Sequence, residues 1–391
     1  MKDETRKKLK GLMDKAVAEK ELAGGCLLVR SHGEECCYLE AGMADVEAGK
    51  PIERDQIYRL YSMSKPVTGA AAMKLFEDGV LDLGQPVSAY LPSFQDSLVE
   101  QDGRLVKADR QIQVQDLLNM TSGLVYNGEA GLAGRHADEV FGELMDRLQT
   151  DHPMTTRELA VRLGQGPLLF QPGSYWKYGS SADVLGAVIE AAADMPFGEY
   201  LKKSFFEPLG MKDTGFFVPE EKRERLVTAY RADGKGGLEP YRENHLGIFN
   251  AMDRRPAFES GGAGLVSTVD DYARFAQMLL NGGELDGARV LKPRTVDYMT
   301  SGTLNGTQRE AFVRNFPTMP GFDYGNLVRV MKEPGKSCTL NNVGEYGWDG
   351  WLGCYFANDP AADMTILFMM QKTDSGLTPL VRGLRNVIMS E

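Results

Sequence analysis

The sequence predicts an α+β protein in which both ends of the chain build one antiparallel sheet and the middle builds a mostly helical domain. Three observations lead there. Apolar residues recur at helical spacing near each end, at Leu9, Leu12, Met13, Ala16 and Val17 and again at Leu377, Leu380, Val381, Leu384 and Ile388. Beside each of these helices lies a pair of strand-like runs. Cys26-Leu-Leu-Val-Arg and Glu35-Cys-Cys-Tyr-Leu-Glu are joined across Ser31-His-Gly, while Gly353-Cys-Tyr-Phe-Ala and Met364-Thr-Ile-Leu-Phe-Met-Met-Gln are separated by Asn358-Asp-Pro. Helical periodicity over residues 66–77, 182–193 and 269–280, with long Gly- and Pro-punctuated connections, fills the interval. The expected division is an α/β part from residues 1–62 and 320–391 and a helical part from 63–319. A cleft between the two is where a small-molecule site belongs.

Charge and composition narrow the function. In 391 residues, Asp and Glu outnumber Lys and Arg by 55 to 44, so attraction to phosphate backbones is disfavoured and nucleic acid is not an expected partner. The first ten residues carry charges with no apolar stretch behind them, and no window approaches the ~20 apolar residues of a bilayer span. The expected location is the cytoplasm. Five cysteines, odd in number and without Cys-x-x-Cys spacing, suggest neither a disulfide framework nor a zinc site.

Familiar catalytic motifs are absent. There is no Gly-x-Ser-x-Gly elbow, and none of His32, His136, His152 and His245 opens a zincin motif. Gly335-Lys-Ser337 has Val330 where a phosphate loop needs glycine, and Gly262-Ala-Gly264 lacks the context of a dinucleotide site. What remains is Ser62-Met-Ser-Lys65, at the passage from the strand-like Ile57-Tyr-Arg-Leu into a helix. One helical turn brings the Lys65 amine beside the Ser62 hydroxyl, where a helix N-terminus and a cation favour the alkoxide. Alone, a Ser-x-x-Lys arises by chance and serves as easily to cap a helix.

Its setting carries a family resemblance. The run from Ser62 through Lys65-Pro-Val-Thr-Gly-Ala-Ala-Ala-Met-Lys-Leu-Phe-Glu-Asp-Gly resembles the first motif of class C β-lactamases and of the related family VIII carboxylesterases. Asp116-Leu-Leu-Asn-Met-Thr-Ser-Gly-Leu, Tyr178-Gly-Ser180 with its following helix, Ser260-Gly-Gly-Ala-Gly-Leu-Val-Ser, and Gly347-Trp348-Asp349-Gly350-Trp351 follow in the family's order. The resemblance implies a β-lactamase and penicillin-binding-protein-like fold and a serine hydrolase that forms an acyl-enzyme. Ser62 would be the nucleophile, Lys65 and Tyr178 the proton shuttle, and the backbone N–H groups of Ser62 and Trp351 the oxyanion hole. An ammonium beside the Tyr178 phenol would favour phenolate. No metal or organic cofactor is called for.

The third motif separates the relatives. Where β-lactamases carry Lys-Thr-Gly, this chain has Trp348-Asp349-Gly350, which is similar to the Trp-Gly-Gly of family VIII esterases but for Asp349. Without that lysine, and with a carboxylate in the motif, neutral esters are the expected substrates. Tyr126, Ser180, Trp348, Asp349 and Gly350 are the expected substrate-binding residues, although alternation along a strand also allows Asp349 to point away from the cleft. Two other readings stand beside the carboxylesterase. One is amide or transfer chemistry on the same nucleophile, as in a β-lactamase, D-amino-acid peptidase or acyltransferase. The other is a noncatalytic penicillin-binding-like scaffold.

Overall fold

A computed structural model describes all 391 residues. Helix α1 (Asp3–Ala18) leads into strands β1 (Gly24–Ser31), β2 (Glu34–Asp45) and β3 (Lys50–Pro51). The middle of the chain holds α2 (Lys65–Glu77), α3 (Gly131–Arg147), α4 (Thr156–Gly164), α5 (Ser181–Ala193) and α6 (Val269–Leu280), together with the helix Gly306–Asn315, several shorter helices and small two-stranded hairpins. The chain then returns to the sheet through β4 (Phe322–Gly325), β5 (Val328–Met331), β6 (Tyr346–Asp349), β7 (Tyr355–Asp359) and β8 (Met364–Met370), and closes with α7 (Pro379–Met389).

The strand order is β4-β5-β6-β7-β8-β1-β2-β3, with every neighbour antiparallel. The two ends of the chain therefore meet in the middle of the sheet, where Cys26 pairs with Met369 and Leu28 with Leu367. Side chains alternate between two faces. Leu27, Val29, Ala357, Ile366 and Phe368 face α1 and α7, whose Leu9, Met13, Ala16, Leu380, Leu384 and Ile388 complete one apolar layer. Cys26, Leu28, Phe356, Leu367 and Met369 face the helical side and join the larger core. Removing a side chain such as Leu384 from the first layer would cost about 2–5 kcal/mol.

The expected helices and terminal hairpins lie within a few residues of their predicted places. The strand-like run before Ser62 is shorter than expected: only Tyr58–Arg59 is strand, paired with Val266–Ser267. Arg59 is buried and its guanidinium donates to the carbonyls of Asn250 and Val227, so this stub fastens the nucleophile segment to the 227–267 region. No helix is long and apolar enough to cross a membrane.

Candidate active site

Ser62 lies in a single 3-10 turn, Tyr61–Ser64, that runs directly into α2. From residue 56 to residue 73 every residue is buried except Ser62. Ser64, the other serine of the motif, is spent on structure: its hydroxyl accepts from the Leu265 N–H at 3.1 Å. Lys65 Nζ stands 3.2 Å from Ser62 Oγ and donates to the Gly262 carbonyl at 2.8 Å. The lysine is wholly buried, and burial pushes its ammonium down to about 8, against the charges of Asp183 and Asp349, which favour the cation.

Tyr178 approaches the same serine from the segment before α5. Its ring centroid is 4.6 Å from Lys65 Nζ, and its Oη accepts the indole N–H of Trp348 at 3.2 Å. Burial pushes the phenol up more strongly than hydrogen bonding to Ser62 and Trp348 lowers it. This runs against the expected phenolate: burial holds the Tyr178 phenol above its usual range, and Lys65 is the group whose proton affinity has been brought toward neutrality.

Behind the lysine is a carboxylate that inspection of the motifs missed. Asp183, 2% exposed, accepts from Tyr126 Oη at 3.0 Å, from the Gly262 N–H at 3.1 Å and from the Ser260 hydroxyl. Three donors compensate a buried charge. Tyr126 Oη lies 3.5 Å from Lys65 Nζ, so tyrosine, aspartate and the Ser260–Gly262 turn form one network around the amine. The available signal was an acid among the apolar residues that open α5, next to Ala182, Val184 and Leu185.

Not all the predicted residues come together. Tyr126 does so through Lys65 rather than as a simple pocket wall. Trp348 is 1% exposed and stacks on Tyr178, with ring centroids 5.7 Å apart at 26°, so it braces the phenol instead of lying open to substrate. Ser180 is a correction: its fully buried hydroxyl donates to the Val125 carbonyl at 3.0 Å and does not reach toward the lysine. Asp349 is another. Pairing of Asp349 with Tyr355 and of Gly347 with Arg329 puts the Asp349 side chain on the face of the sheet opposite Trp348. There it lies 3.8 Å from the buried Arg329 guanidinium, and burial pushes its carboxyl up to about 6.

Gly350 holds its place for a steric reason. A Cβ there would come within 2.2 Å of the Leu60 carbonyl, so only glycine lets the end of β6 approach the nucleophile turn this closely. The next residue, Trp351, has a backbone N–H with no acceptor in the protein. A cavity of about 710 Å³ lies elsewhere, between residues 198–219 and Arg255 and Glu259; none of these site residues lines it.

Comparison with known proteins identifies the family. The beta-lactamase family model matches residues 9–384. The chain belongs to the beta-lactamase family. It is a serine hydrolase of that family. Esterase EstB of Burkholderia gladioli is 30% identical over 400 residues, covering 97% of this chain and 94% of that protein. Protein Rv1367c of Mycobacterium tuberculosis is 34% identical over 342 residues, covering 85% of this chain and 81% of that one. Among solved structures, EstCE1, described as a hydrolase with promiscuous acyltransferase activity, superimposes with a TM-score of 0.84 at 27% identity and covers 98% of both chains.

Proposed function

We propose that this protein is a carboxylesterase acting on small neutral esters through an acyl-enzyme on Ser62. The observation that carries the reading is the pair formed by Ser62 Oγ and Lys65 Nζ, 3.2 Å apart, with the amine buried and held down to about 8. Neutral Lys65 takes the Ser62 hydroxyl proton as Oγ bonds to the ester carbonyl carbon. The carbonyl π pair moves onto oxygen, and the Ser62 and Trp351 N–H groups stabilise that charge. Collapse re-forms the carbonyl and breaks the bond to the alcohol, which takes a proton relayed from Lys65 through the Tyr178 phenol. Water then attacks the acyl carbon, gives its proton to the same pair, and the acid leaves as Ser62 regains its hydrogen.

Two things support an ester over a β-lactam or a peptide. Trp348 stands where the related hydrolases carry a lysine for a substrate carboxylate, and EstB, similar along nearly its whole length, is named an esterase. Acyl transfer to an alcohol is a second reading, favoured by the printed description of EstCE1 and needing only that an alcohol replace water in the second half-reaction. A cytoplasmic location belongs to the same proposal, supported by five cysteines that are all unpaired.

Intact-protein mass spectrometry after brief exposure to a fluorophosphonate, beside turnover of p-nitrophenyl butyrate and nitrocefin, tests the proposal. The expected result is a phosphonate adduct and ester turnover that both vanish in Ser62→Ala, with slow or absent nitrocefin hydrolysis. Ester turnover by Ser62→Ala, in material free of host esterase, would overturn it, and faster nitrocefin than ester turnover would reassign the substrate class.

A further inference from the structure

The two proposed oxyanion donors are joined by their neighbours' side chains. Tyr61, which carries the Ser62 N–H on its far side, has a φ of 45°, a left-handed backbone that a tyrosine adopts only when its surroundings hold it there. Its buried ring packs 5.0 Å from the Trp351 indole. On the indole lies the His245 imidazole, with ring centroids 4.2 Å apart at 31°, and Tyr241 meets it edge-on at 5.5 Å. The indole N–H donates to Asp374 at 2.8 Å, and the Trp351 carbonyl accepts from the Ser375 N–H at 3.0 Å. His245 itself is held by reciprocal backbone hydrogen bonds with Ile248, and its Nδ1 is buried without a partner. The imidazole is packed as a flat ring, and its Nδ1 makes no hydrogen bond within the protein.

We propose that Trp351 and His245 are positioning residues for the oxyanion hole, a clamp in which the indole, gripped by Tyr61 and His245 and tethered to Asp374, fixes the spacing between the Ser62 and Trp351 N–H groups. The inference rests on the acyl-enzyme reading above and extends it to two side chains that touch no reacting atom. Backbone donors at the end of a strand gain nothing from chemistry of their own; their value depends on being held where the negative oxygen develops. Gly350 allows the two segments to approach, and the aromatic stack stops them sliding once there. Stacked and edge-on rings supply such a lock through packing alone.

The clamp is tested with wild type, Trp351→Ala, which keeps the backbone N–H, His245→Ala, and His245→Phe, which restores a flat ring. The readouts are kcat and KM for p-nitrophenyl butyrate and the affinity for an alkyl boronic acid, which forms a tetrahedral adduct resembling the transition state. In Trp351→Ala, kcat is expected to fall about 10- to 100-fold with KM changed less than about 3-fold, and boronate affinity to fall in parallel. His245→Ala should show the same pattern more weakly, and His245→Phe should recover to within about 3-fold of wild type. Unchanged kcat and boronate affinity, or a rise in KM alone, would overturn the clamp and leave Trp351 as a substrate wall. If Trp351→Ala does not fold, as judged by circular dichroism, the two His245 variants decide the matter by the same criteria. A Ser62 phosphonate adduct on wild type keeps the acyl-enzyme reading standing when the clamp fails; its absence would remove both.

Discussion

Trp348 donates its indole N–H to Tyr178 Oη over 3.2 Å while the two rings stack 5.7 Å apart. The phenol thus has one lone pair occupied from the sheet side, and its own hydrogen is left to turn toward Ser62 and a departing alcohol. The rings of Phe316 and Tyr324 meet Trp348 edge-on, so the indole has little freedom to drift.

Trp348→Phe keeps most of this packing and deletes the hydrogen bond. Losing a buried hydrogen bond costs about 1–3 kcal/mol, so kcat should drop roughly 5- to 100-fold while the circular dichroism spectrum is unchanged. Steady-state ester hydrolysis checks it, and an unchanged kcat would detach Trp348 from Tyr178's work.

With the Lys65 amine brought down to about 8, kcat/KM should rise with pH as the lysine loses its proton and level off above that value. The sign follows from the role: a base works only when deprotonated. A profile that instead falls through pH 8 would mean that the ammonium form is the working one.

Asp183→Asn removes a charge that favours protonated Lys65 while leaving an oxygen to accept from Ser260 and Gly262. The inflection in kcat/KM should therefore move below that of wild type. The variant should also unfold more readily, by about 1–3 kcal/mol in denaturant titration, because the three hydrogen bonds no longer end on a charge.

Asp349→Asn makes a buried carboxyl visible in the pH dependence of stability. The Asp349 carboxyl is raised from its usual value to about 6, so the folded state binds its proton more tightly than the unfolded state does. That group's contribution is fully present below about pH 4 and is lost as pH climbs through 6. Asparagine does not titrate, so relative to wild type the variant should gain about 2–3 kcal/mol of stability between pH 4 and pH 8. Parallel denaturant titrations at the two pH values check it, and a constant difference would mean that Arg329 neutralises Asp349 fully.

The legible parts of this molecule are those in which one side chain answers to one physical demand. Leu9, Leu384 and their helical partners must face an apolar layer, and their spacing says so. The β4–β5 hairpin escaped notice because its four-residue strands are buried on both faces and include Arg329, whose charge interrupts the apolar pattern. Its turn, Asn326-Leu327, has left-handed φ at both positions, and leucine gives no warning of that. Within the site, motif order points to Ser62, Lys65 and Tyr178. Trp348, Asp349 and Gly350 share one motif, but a strand sends successive side chains to opposite faces, and Asp349 takes the outward alternative that this alternation allows. Ser180 was misplaced for another reason: whether a short hydroxyl reaches substrate or the nearest carbonyl depends on where Val125 lies, and that is a property of the folded chain.

Strand β1 sits between β2 and β8, so the centre of the sheet is sealed by segments from opposite ends of the polypeptide. During synthesis the β1–β2 hairpin, and the nucleophile turn that follows it, emerge early with one edge unpaired and wait for nearly all the remaining chain before β8 arrives. Long-range pairing of this kind is slow and leaves an open strand edge available to other nascent chains. Truncated products of interrupted translation therefore carry Ser62 and Lys65 without the strand that leads to Trp351.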